Sequence, residues 1–139
     1  MLKSLTNLVP ARAIQGLVII RIAIAIILGV HSVSRIVKGD VAGFGTHLNS
    51  IGLPLGVPFA WFITLSTLGA SVAMISGRLV VPSCVIHIIV LLTGIFLVHA
   101  PHGWFVVGGG TNGMEYSVTL IVCLLGIAWS YWPGTDPER

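Results

Sequence analysis

Apolar residues fill this chain in four long runs, separated by short stretches rich in glycine, proline, serine and asparagine. The runs cover about Ala13 to Val37, Pro58 to Ser76, Leu79 to Val98 and Gly113 to Tyr131. A transmembrane helix needs about 20 predominantly apolar residues. The pattern therefore predicts an all-α membrane protein, a four-transmembrane-helix bundle that makes a single domain of residues 1–139.

The three connections between these runs carry residues that favour turns. Those residues are Gly43, Gly45, Asn49, Gly52, Pro54 and Gly56 in the first connection, Ser76-Gly77-Arg78 in the second, and Pro101, Gly103 and Gly108-Gly109-Gly110 in the third. Asn112 and Glu115 have the spacing of an N-cap and an N3 residue. We expect them to form a capping box at the start of the fourth predicted helix.

Composition agrees with a lipid environment and argues against other classes of protein. The chain is 55% hydrophobic and 8% charged, whereas soluble proteins have about 25% charged residues. Its net charge of +3 comes from seven basic residues scattered singly against four acidic ones. A nucleic-acid-binding surface needs clustered basic residues, so the expected partner is the bilayer and not a nucleic acid.

The distribution of lysine and arginine predicts the orientation. If the chain starts in the cytoplasm, Lys3, Arg12, Arg78 and Arg139 lie on the cytoplasmic side, and only Arg35 and Lys38 lie on the other. Cytoplasmic loops of membrane proteins carry an excess of basic residues. This bias predicts that both termini are cytoplasmic.

Small and polar residues predict which helix faces point inward, because helices in lipid pack through such residues. The stripes are Ala60, Thr64, Thr67 and Ser71 in the second predicted helix, Cys84, His87 and Gly94 in the third, and Glu115, Thr119, Cys123, Gly126 and Ser130 in the fourth. Cys84 and Cys123 differ in depth by roughly 10 Å. Since a disulfide needs a much closer approach, we interpret both as packing residues.

Two ionisable side chains, Arg21 and His87, fall within the predicted spans. Charged groups at membrane depth are costly and often functional. Arg21 either extends to the lipid headgroups or finds a partner inside the bundle. Haem ligation by His87 is chemically possible, but a histidine bonded to a neighbouring helix is more common, so we do not expect haem or any other intrinsic cofactor.

A second group of polar residues gathers at the ends of the helices on the non-cytoplasmic side. Its members are His31, Arg35, His99, His102, Glu115 and Tyr116. We expect them to form a polar ligand pocket over the bundle, in which Glu115 pairs with Arg35 or a histidine unless it serves only the capping box. A proline separates His99 from His102, so the two are not a regular helical ligand pair and no metal site is predicted.

Several local patterns, in order along the chain, resemble the DoxX family of small bacterial membrane proteins. They are Arg21, the segment His31-Ser32-Val33-Ser34-Arg35, Gly52-Leu53-Pro54, Gly77-Arg78, His99 followed by Gly103-Trp104-Phe105, and Gly113-Met114-Glu115-Tyr116. The resemblance covers roughly residues 17–132. It departs from the family in the second predicted helix, where Thr64-Leu65-Ser66-Thr67 stands in the region that often holds a glutamate.

The resemblance implies a multi-pass protein of the bacterial inner membrane. Some members of the family resemble the membrane subunit of quinone-linked oxidoreductases, so the first functional hypothesis is a quinone-interacting subunit whose electrons come from a partner protein. The alternatives are a non-catalytic anchor or assembly partner of a complex, and a small-molecule permease or lipid-binding protein. The partner is expected to be another subunit or a second copy of this chain.

Overall fold

The computed structural model describes residues 10–134, and every regular element in that range is helical. The helices are α1 (Pro10–Val37), α2 (Val41–Ser50), α3 (Gly56–Ser76), α4 (Val80–Gly94) and α5 (Glu115–Ser130). Lys3 and Arg139, two of the basic residues predicted to be cytoplasmic, lie outside the described residues. α1 packs along α3, α3 along α4 and α4 along α5, and a smaller contact between α5 and α1 closes the bundle.

Three helices are long and apolar enough to cross a membrane, namely Arg12–Val37, Gly56–Ser76 and Val80–His102. α5 is shorter, with 16 residues, or about 24 Å of helix, against a hydrocarbon core of about 30 Å. It ends beside the first half of α1, because the ring centroid of Tyr131 lies 5.3 Å from the guanidinium carbon of Arg21. The predicted helical bundle is thus confirmed, with a fourth helix shorter than expected.

The connection between α1 and α3 is not the simple turn that its glycines predict, because it contains α2. Glycine lowers helix stability by about 1 kcal/mol relative to alanine, so local sequence argues against this helix. Tertiary packing stabilises it instead: Val41 and Leu48 are buried against Ala60 of α3. Gly45 and Gly56 let the two backbones approach so closely that a Cβ on Gly56 would meet the carbonyl oxygen of Gly45.

This close approach gives a stability prediction. A Cβ on Gly45 would lie 2.6 Å from Cα of Val57, and overpacking of this kind costs about 1–3 kcal/mol. We expect Gly45→Ala to lower the thermal unfolding midpoint in detergent by several degrees. Gly69→Ala is the matched control, since a Cβ there meets nothing within 4 Å; an equal loss in both variants would contradict the close contact.

The last turns of the third span depart from α-helical geometry. α4 continues as a π-helical turn, Ile95–His99, and then as a 3-10 turn, Ala100–His102. Pro101 explains the change, because its ring would collide with the carbonyl four residues earlier and it has no N–H to donate. Wider π-helical turns occur often at functional sites, and this one places the His99 side chain at the mouth of the bundle.

The tight connection between α3 and α4 is confirmed. Gly77 adopts a left-handed conformation with φ of 74°, and the N–H groups of Gly77 and Arg78 donate to carbonyls of the last turn of α3. This arrangement is a Schellman motif, which a glycine at this position favours. It brings the end of α3 and the start of α4 together at one end of the bundle, called the Gly77 end below.

Candidate functional site

A cavity of about 320 Å³ opens among α1, α3, α4 and α5, at the opposite end of the bundle, called the His99 end below. Its lining is more apolar than polar, but it includes nine polar residues, and it is called the polar cavity below. Its polar lining residues are His31, Ser32, Arg35, Thr67, His87, His99, Asn112, Tyr116 and Ser117. The structure thus brings together four of the six residues of the predicted pocket, and it places His87 in the wall of the same cavity. Pockets that bind small ligands have volumes of about 300–1,000 Å³.

Arg35 is held in the cavity wall by three helices. It extends from α1, its Nη1 donates to Thr64 Oγ1 of α3 at 3.0 Å, and its guanidinium carbon lies 4.1 Å from the ring centroid of Phe44 in α2. Thr64 can accept this bond because its own hydroxyl donates to the carbonyl of Ala60. A guanidinium has five N–H donors, so this fixed group has further donors for a ligand.

Both histidines at the mouth of the cavity are fixed through the same ring nitrogen. Nδ1 of His31 donates to the carbonyl of Ile27 at 3.0 Å, and Nδ1 of His99 donates to the carbonyl of Asn112 at 2.9 Å. A carbonyl accepts only, so the proton must be on Nδ1 in each ring. Nε2 is therefore the atom that accepts a proton or, once protonated, donates one.

Hydroxyl groups and a buried histidine form the deeper wall. Ser32 Oγ of α1 lies 2.7 Å from Thr67 Oγ1 of α3, and Thr67 donates to the carbonyl of Ile63. His87 is 1% exposed, and its Nε2 lies 3.3 Å from Ser71 Oγ. A histidine bonded to a neighbouring helix is the arrangement expected for His87.

Glu115 and His102, the remaining members of the predicted pocket, do not line this cavity. Glu115 is the first residue of α5, and its Oε1 accepts a hydrogen bond from the backbone N–H of Val106 at 3.0 Å. Neither the capping box nor the pairing of Glu115 with Arg35 or a histidine forms: the residue before the helix is Met114, without a side-chain cap bond. Glu115 instead holds the loop after α4 against the start of α5.

An apolar groove of about 600 Å³ lies between α3 and α4, next to the polar cavity. Its walls include Phe59, Phe62, Ile86, Ile89 and Leu97. The cavity and the groove share Arg35, Phe44, Ile63, Val90, Leu91, His99 and Ser117. The two spaces are therefore neighbours, a smaller one with polar residues in its wall and a larger apolar one.

Several contributors to this site were not singled out as ligand residues from the sequence. Thr67, Asn112 and Ser117 line the cavity, and Phe44 lines it from the unexpected α2. The inward stripe of the second predicted helix, which contains Thr64 and Thr67, is the one sequence signal that pointed here. Asn112 lies in the loop after α4, where no periodicity is available to place it.

Comparison with known proteins adds a family match. The DoxX family model matches residues 16–100, which is more than half of the chain. No curated protein and no solved structure matches the chain. The match, together with three apolar helices of spanning length, shows that this is a multi-pass integral membrane protein.

Proposed function

Because the chain belongs to the DoxX family, we propose that it is the quinone-interacting subunit of a membrane oxidoreductase. The observation that carries the proposal is the junction of a polar cavity with an apolar groove at Arg35 and His99. A membrane quinone has the same two parts, a small polar ring and a long isoprenoid tail. The cavity suits the ring, and the groove gives the tail an exit toward the lipid.

The cavity offers suitable partners for the oxygens of a quinone ring. Quinone oxygens accept hydrogen bonds, which the guanidinium of Arg35 donates, and this cation is bonded to a neutral threonine rather than to a carboxylate. Reduction of the ring to a quinol adds two electrons and two protons. Imidazole exchanges protons near neutral pH, and Nε2 of His31 or His99 is the atom positioned to pass a proton to or from the ring.

The electrons come, in this proposal, from the redox centre of a partner protein. The chain's own residues bind and orient the ring and move the protons. The bacterial inner membrane, where quinone-linked oxidoreductases lie, is the proposed location, with both termini in the cytoplasm. The charges support that orientation: the Gly77 end carries Arg12, Arg21 and Arg78 and no described acid.

Paired histidine variants test the proposal. We expect His99→Gln to weaken binding of a ubiquinone or menaquinone to the purified protein about fivefold, the effect of losing one hydrogen bond of about 1 kcal/mol. His102→Gln is the matched control, since His102 is exposed at the same end and lines neither space.

Direct titration of the quinone into protein reconstituted in nanodiscs measures both affinities. Equal losses in the two variants would remove His99 from the site. A wild-type protein that binds no quinone, but co-purifies in fixed ratio with a soluble subunit, would favour a non-catalytic anchor over this proposal.

A further inference from the structure

The Gly77 end of the bundle contains a buried cation whose charge the fold does not neutralise. Arg21 is 7% exposed, and its Nε is buried without a hydrogen-bond partner. Among residues 10–134, no carboxylate forms an ion pair with it, and its guanidinium carbon lies 5.3 Å from the ring centroid of Tyr131. Buried arginines are ordinarily paired, so the site is incomplete as the described residues build it.

The surroundings of Arg21 explain why a cation is tolerated there. Its guanidinium lies against the turn after α3, since a Cβ on Gly77 would be 2.7 Å from Nη1. Tyr131 is the residue at which α5 ends. Both neighbours are therefore helix C-termini, whose partial negative charge attracts cations. They leave the Nε of Arg21 without an acceptor, which an oxyanion would supply.

The depth of Arg21 identifies the class of anion. Trp129 and Trp132 are exposed beside Tyr131 at the end of α5, and exposed tryptophans of membrane proteins lie at the headgroup level. These tryptophans indicate that Arg21 lies near the headgroup end of the bundle, within reach of lipid phosphates. The planar guanidinium of an arginine can also donate two parallel hydrogen bonds to the oxygens of one phosphate.

The two ends of the bundle differ in net charge, and this difference also favours an anion at the Gly77 end. Within residues 10–134, the Gly77 end has three cations, Arg12, Arg21 and Arg78, and no acid. The His99 end has two cations, Arg35 and Lys38, against Asp40 and Glu115, and so carries no net charge from these groups. An anionic ligand is favoured only at the Gly77 end, at the far end of the bundle from the polar cavity.

We propose that Arg21 is the centre of a binding site for the phosphate headgroup of one anionic phospholipid, with Tyr131 beside it and Arg78 of the adjacent turn as the outer cation. This site is separate from the proposed quinone site and independent of it. It would tie the turn after α3 and the end of α5 to the membrane surface through a single lipid.

Native mass spectrometry of the detergent-solubilised full chain tests the site, with phosphatidylglycerol and phosphatidylcholine titrated separately. We expect the wild type to bind one phosphatidylglycerol about tenfold more tightly than phosphatidylcholine. Arg21→Gln should abolish this preference, and Arg21→Lys, which keeps the charge without the planar fork, should retain part of it. Arg12→Gln is the matched control, a cation at the same end that should leave the preference unchanged.

Further arms separate the sources of the anion. Arg78→Gln changes an exposed residue and should reduce the preference several-fold even if Arg21→Gln fails to fold. If millimolar inorganic phosphate stabilises the wild type as well as phosphatidylglycerol does, the ligand of this site is free phosphate and not a lipid headgroup. Equal binding of both lipids would overturn the proposal. A preference for phosphatidylglycerol that appears only in the double variant Asp136→Asn, Glu138→Gln would also overturn it, because the chain's own acids would then occupy the site in the wild type.

Discussion

Arg35→Gln is expected to weaken quinone binding by about 10- to 100-fold, the largest effect of any single substitution in the cavity. Hydrogen bonds to a charged group contribute about 1.5–3 kcal/mol, and each 1.4 kcal/mol changes affinity tenfold. Arg35 lines both the polar cavity and the apolar groove, so it lies where the ring and the tail of the proposed quinone would meet. Among the described residues, no other lysine or arginine lines either space to replace it.

Two comparisons separate this effect from a loss of structure. Arg35 also bonds Thr64 and covers the ring of Phe44, so thermal unfolding of the variant must be measured beside its affinity. Arg35→Lys keeps the charge and should retain part of the affinity. Lys38→Gln removes a cation from the same end that lines neither space, and quinone titration should find it within twofold of the wild type. Wild-type affinity in a folded Arg35→Gln protein would exclude the cavity as the ring site.

Ile63→Trp should make the protein selective for quinones without a tail. Ile63 lines both the cavity and the groove, so a larger side chain there blocks the passage between them. A tail surrounded by lipid gains little by entering an apolar groove, because lipid is equally apolar. The effect is therefore steric: overpacking costs about 1–3 kcal/mol, which predicts about a tenfold loss for a long-tailed quinone.

The test compares a tail-less quinone with a long-chain one in the same titration. The tail-less compound should lose much less affinity for Ile63→Trp than the long-chain one, although Ile63 also lines the ring cavity. Leu65→Trp is the matched control, since Leu65 is exposed on the same helix and lines neither space. If Ile63→Trp weakens both compounds alike, or neither, the groove is not the path of the tail.

The inward face of α3 shows what the sequence could predict. Ala60, Thr64, Thr67 and Ser71 recur at helical spacing, and all four are buried. Their hydroxyls satisfy their own helix or a neighbour, as Thr67 does with the carbonyl of Ile63 and with Ser32. Cys84 and His87 of α4 are likewise buried, and both cysteines are free. Periodicity sufficed here because these helices are long and regular.

The inward face predicted for the last helix was wrong. The buried residues of α5 are Ser117, Leu120, Leu124 and Ile127, whereas Thr119 and Gly126 are exposed. The bond of Glu115 to the backbone of Val106 accounts for the phase, since it turns the face that begins at Glu115 toward the loop. Large aliphatic residues then pack on Met74 and Ile24 in the core, a contact that a rule based on small residues does not anticipate.

The candidate site was predictable only in part, because tertiary packing places some of its residues. His31, Arg35, His99 and Tyr116 lie at helix ends on one side, so a topology of antiparallel helices is enough to bring them together. The contribution of Phe44 depends on α2, which glycine propensity argues against and tertiary contact with α3 stabilises. The apolar groove follows from the gap between α3 and α4, which no pattern along the chain encodes.

Photolabelling with an azido-quinone tests the central claim, that a quinone ring binds at the His99 end of this bundle. The protein in nanodiscs is irradiated with the probe and the labelled peptides are mapped by mass spectrometry. The cavity predicts labels within residues 28–35, 63–67, 87–99 and 112–120 or at Phe44 or Val106, which an excess of unlabelled quinone suppresses. Labels confined to residues 12–21 or 128–132, or labels that the excess leaves unchanged, would contradict it.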